Sequence, residues 1–82
     1  MIRRDARIVT VSDLLAQEVE SLCNNDESRG FVERAKVFSD KEVKFKYLIL
    51  ATRIIISQHH RNGESLLALG AKKLLAKLEM MI

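Results

Sequence analysis

A chain of 82 residues without proline has room for one small domain and no second. With 48% hydrophobic and 30% charged residues it has the composition of a folded chain, not a disordered one, and its net charge of +3 is weaker than a dedicated nucleic-acid binder usually carries. Cys23 is the single cysteine, which excludes an internal disulfide and suits a reducing compartment.

Residues 1–9 hold Arg3, Arg4 and Arg7, followed by Ile8 and Val9. They read either as a flexible basic arm or as a short extended piece that lays Ile8 and Val9 on the core. No apolar run long enough for a signal peptide precedes Asp13. The longest apolar stretch, Tyr47 to Ile56, is broken by Thr52 and Arg53 and is too short to span a bilayer. The expected location is the cytoplasm.

The first helix is expected after Thr10, with Asp13 three residues on as a weak capping box. Val11, Leu14, Leu15, Val19, Leu22 and Cys23 recur at three- and four-residue spacing and mark its inner face. Asp13, Gln17, Glu18, Glu20 and Ser21 form an acidic outer face. Asn24 to Ser28 is a loop by composition, because Asx side chains compete with the helix for backbone hydrogen bonds. A short second helix follows from about Arg29 or Gly30 to Phe38, with Phe31, Ala35 and Phe38 inward.

The third helix organises the rest. Ser39 and Glu42 have the S-x-x-E spacing of a capping box, with Phe38 and Val43 placed as a hydrophobic staple. Glu42, Lys46, Arg53, Ser57 and His60 fall on one narrow polar stripe of an otherwise apolar circumference, the pattern of a central, mostly buried helix. The β-branched run Ile54-Ile55-Ile56 favours a strand, but the caps and the length outweigh it. His59, His60 and Arg61 suit the helix C-terminus, and Asn62-Gly63 ends it in a helix–helix turn. In the last helix Leu67, Ala71, Leu74, Leu78 and Met81 form the inner face, widened by Leu66, Leu75 and Ile82. Gly70 lies mid-helix, where it either admits a closely approaching helix or is merely tolerated. The expected product is an all-α bundle of about four helices in one domain over residues 1–82, its last two helices an antiparallel hairpin.

Nothing in this pattern points to catalysis. Adjacent histidines on a helix diverge by about 100° and do not share an ion, so His59 and His60 are read as a helix-end pair, with no metal and no cofactor expected. Cys23 reads as a small buried hydrophobe. No phosphate-binding glycine loop is present, and the carboxylates do not pair in an apolar setting. The charges are segregated instead. Val11 to Gly30 is net acidic, whereas the arm and the chain after Phe31 lean basic, as expected for complementary contact with a partner or internal steering of the helices.

A chain this short and this apolar has more oily surface than one small core buries, which favours a partner, either another copy or a different protein. The residues expected to make that contact are Leu78, Met81 and Ile82 at the end of the last helix, with Lys73 and Lys77 at its rim. The alternative is nucleic-acid binding through Arg34, Lys36, Lys41, Lys44 and Lys46, but the central helix is too apolar to read bases. A second rival is a membrane surface, met by the basic amphipathic segment Ala71 to Ile82. In size, helicity and lack of a membrane span, the whole chain resembles the small cytoplasmic accessory proteins of large bacteriophages, among them the antiholin-type regulators of lysis inhibition. That resemblance implies binding to the cytosolic part of a membrane-inserted holin, and it carries over no individual residue.

Overall fold

The computed structural model describes residues 11–81, with the side chains of Val11 and Ser12 outside that description. Four helices follow one another: α1 (Val11–Leu22), α2 (Asp26–Val37), α3 (Lys41–Arg61) and α4 (Ser65–Met80). No strand occurs among the described residues, so the fold is a small all-α bundle. The expectations for the arm at 1–9, the cap at Thr10 and the side chains of Val11 and Ile82 lie outside the described residues.

The 21 residues of α3 are the spine. Phe45, Leu48, Ala51 and Ile55 are fully buried, and Ile54-Ile55-Ile56 continue the helix because tertiary burial rewards them more than their β-propensity penalises them. α2 packs along one flank of α3 and α4 along the other, while α2 and α4 make no contact with each other. α1 touches all three. The short 62–64 turn folds α4 back along α3 as the expected antiparallel hairpin, and Arg53 reaches Glu79 across it at 3.5 Å. A turn further along α3, Asn24 Nδ2 donates to the Ile55 carbonyl (3.4 Å) and Asn25 Nδ2 to Gln58 Oε1 (3.4 Å), tying the start of α2 to the C-terminal part of α3.

Two helix starts differ from the sequence expectation. α2 begins at Asp26, three residues early, because Asn25 is its N-cap: its Oδ1 accepts the Ser28 N–H at 2.8 Å. Asp26 and Glu27 then sit at the positive end of the helix dipole, where their charge is favourable. The cap of α3 is Asp40, not Ser39; its Oδ1 accepts from Glu42 N (2.9 Å) and Val43 N (3.4 Å). The reciprocal arm of a capping box is therefore replaced by an ion pair, with Glu42 turned along the helix to Lys46 at 3.7 Å.

The inner faces differ as well. Val32, with no expected role, is 1% exposed, whereas Phe31 and Phe38 lie at the α2–α3 edge around Tyr47, Phe38 stacking on it at 5.3 Å and Phe31 meeting it at 6.1 Å. Leu14, expected on the inner face, is half exposed, with no other described helix covering that side of α1. In α4 the buried set is Ala68, Ala71, Leu74 and Leu78, while Leu66 and Leu67 face outward. Gly70 has nothing within 4 Å of where a Cβ would stand, so no described helix approaches it closely.

The outer face of the last helix as candidate functional site

α4 is where the composition and the packing disagree. At 100° per residue, Ala68, Ala71, Leu74 and Leu78 share one side, and that side is buried against the bundle. Leu66, Leu69, Lys73, Ala76 and Met80 recur at spacings of three, four, three and four, which places them together on the opposite side. That side faces solvent: Leu66 and Met80 are each 84% exposed and Leu69 is 51% exposed. A helix apolar on both sides has its second side left unburied by this fold. Lys73 interrupts this row at its middle and Lys72 and Lys77 flank it, all exposed against one carboxylate, Glu79, so the face is apolar toward its two ends and basic between them.

The expected contact residues divide. Lys73 and Lys77 are exposed on the outward side, as the contact requires. Leu78 is not available for contact: it is 0% exposed and belongs to the core, because it continues the Ala71–Leu74 side of the helix. Met81, 36% exposed, follows α4 and lines with Leu15, Lys77 and Met80 an apolar hollow of about 210 Å³. Ile82 lies outside the described residues. The apolar residues that do form the surface are Leu66, Leu69 and Met80; Leu66, expected to widen the inner face, lies on the outer one.

The five basic residues of the nucleic-acid alternative are not brought into one strip. Lys44 and Lys46 point about 200° apart on α3, and Lys44 is half-buried in the cleft between α1 and α2. Lys36 bonds Glu20 at 2.6 Å and Glu33 at 3.4 Å; the Glu20 hydrogen bond, above all, holds its amine above the usual lysine range. Arg34 lies over the Phe31 ring, Lys41 over the Phe45 ring, and Lys46 pairs with Glu42.

Cys23 is half-buried and its thiol donates to the Val19 carbonyl at 3.4 Å. His59 is buried, whereas His60 faces solvent. Among the described residues no group of three or more His, Cys, Asp or Glu side chains is placed to hold a metal ion. No described helix is long and apolar enough to cross a membrane. No protein-family model matches the chain, and no curated protein or solved structure matches it either.

Proposed function

We propose that this protein is a small, cytoplasmic, non-catalytic regulator or adaptor that works by binding another protein, and that the contact is the outer face of α4. The observation that carries the proposal is the second apolar stripe, Leu66, Leu69 and Met80, exposed on a helix whose first stripe already fills the core. Its occupant is an acidic amphipathic helix of the partner. Leu66 and Leu69 at i and i+3, with Met80 fourteen residues beyond Leu66, meet a helix lying alongside, and the exposed Lys72, Lys73 and Lys77 between them call for carboxylates. The resemblance to lysis-inhibition regulators supplies one form of such a partner, the cytosolic part of a membrane-inserted protein. The dispersal of Arg34, Lys36, Lys41, Lys44 and Lys46 around the molecule gives the nucleic-acid alternative no comparable surface.

The test is a titration of the protein with a labelled synthetic peptide of leucine and glutamate heptads, followed by fluorescence anisotropy. Saturable binding that weakens as salt rises is expected, as is its loss in Leu66→Glu/Leu69→Glu with the helical circular-dichroism signal and unfolding transition retained. Binding that survives this double substitution removes the α4 face from the proposal. Association with anionic vesicles in the absence of peptide binding transfers the face to a membrane surface.

A further inference from the structure

We infer that Lys73 selects the partner: the outer face of α4 takes a helix whose carboxylates stand in its middle turns between two apolar ends, and rejects one of the same composition with that order reversed. The inference rests on the reading of that face as the binding surface, and it adds the register the surface demands. Leu66 and Leu69 at one end of the row and Met80 at the other are each more than half exposed. At 1.5 Å per residue, Leu69 and Met80 stand about 16 Å apart along the helix. Lys73 lies in the row itself, between these ends, and is exposed. The one carboxylate of α4, Glu79, is turned to Arg53 of α3 at 3.5 Å. Among the described residues no acid therefore pairs with Lys72, Lys73 or Lys77.

Covering the face changes the surroundings of that amine. In the free protein Lys73 is solvated. A helix seated on Leu66, Leu69 and Met80 lies over it and takes the amine out of water, and a desolvated charge opposes binding unless it is paired. A lysine at a contact can escape by reaching sideways along its stem to the solvent. Here both ways out run toward another ammonium, since Lys72 stands about 100° round the helix on one side and Lys77 about 40° on the other. Those two flanking charges draw the partner's carboxylates toward the face and speed the encounter. Lys73 is the residue that penalises a partner with an apolar middle. The apolar ends give affinity, and the charge between them gives discrimination.

The experiment is an anisotropy titration of the full chain with two labelled helical peptides of identical leucine and glutamate content. One places glutamates in the middle two turns of its contacting face and leucines at both ends; the other places leucines in the middle and glutamates at the ends. The wild type is expected to bind the first more than about tenfold tighter than the second. Lys73→Met, which keeps an unbranched stem and removes the charge, is expected to lose most of that preference by gaining affinity for the second peptide. Lys73→Arg is expected to keep it. Equal affinity of the wild type for both peptides, lost for both in Leu66→Glu/Leu69→Glu, overturns the register and leaves the α4 face standing as the binding surface. A preference that Lys73→Met retains in full overturns the assignment to Lys73. Binding of the first peptide that persists in Leu66→Glu/Leu69→Glu removes the face itself, and the inference with it.

Discussion

His59 Nδ1 lies 3.0 Å from Glu64 Oε1, across the turn that joins the central helix to the last one. The turn is a Schellman motif: Glu64 N–H donates to the His59 carbonyl (2.8 Å), Gly63 N–H to the His60 carbonyl (3.1 Å), and Gly63 takes the left-handed backbone with φ 72°. Glu64 also occupies the N-cap position of α4 but gives its side chain to His59 and, at 3.5 Å, to Asn62 instead of capping the helix. One carboxylate thus ties both sides of the hairpin whose second arm carries the exposed face.

The His59 hydrogen bond, more than any other influence, holds the Glu64 carboxyl below its ordinary value of 4.5. A carboxyl depressed in the folded state contributes stability above its unfolded value and loses it as pH falls through the folded one. The melting temperature of the wild type is therefore expected to exceed that of Glu64→Gln near neutrality, and the gap is expected to close below about pH 4.5. A gap that does not change with pH would mean that the clasp is not electrostatic.

The start of α3 distinguishes two neighbouring caps. Asp40→Ala removes the acceptor of two backbone N–H groups and should cost about 1 kcal/mol in urea unfolding, whereas Ser39→Ala should cost less than about half of that. Asn25→Ala should resemble Asp40→Ala, since it loses the Ser28 cap and the tie to Gln58 together. Equal losses at 39 and 40 would restore the capping box.

Leu78 and Leu66 stand twelve residues apart on one helix and should behave in opposite ways. Leu78→Ala empties a fully buried site and is expected to cost roughly 2–5 kcal/mol. Leu66→Ala is expected to change stability by no more than about 0.5 kcal/mol while weakening peptide binding. Ending the chain at Lys77 removes Leu78 and is expected to erode cooperative unfolding as well as binding.

Gly70→Ala puts a methyl into open space in the folded monomer, so helix propensity should raise its stability by about 1 kcal/mol. Unchanged or lowered stability in thermal unfolding would mean that the position is not open in the folded protein.

Local interactions were legible in the chain, because caps, turns and helical periodicity act over four residues or fewer. The four helices, the stop at Asn62-Gly63, the polar stripe of α3 and the antiparallel pairing of α3 with α4 all followed from such spacings. Even so, Ser39 against Asp40 was not decided by spacing, since both side chains accept a backbone N–H and only the backbone path into the helix selects between them. Which leucines of α4 face the core was likewise settled by tertiary structure. That helix is apolar almost all round, so its own periodicity supports either side, and the choice falls to the flank of α3 on which Ala68, Ala71, Leu74 and Leu78 pack. The side left over, Leu66, Leu69 and Met80, is defined only by the absence of a third neighbour among the described helices, and no residue records its own neighbours in the sequence.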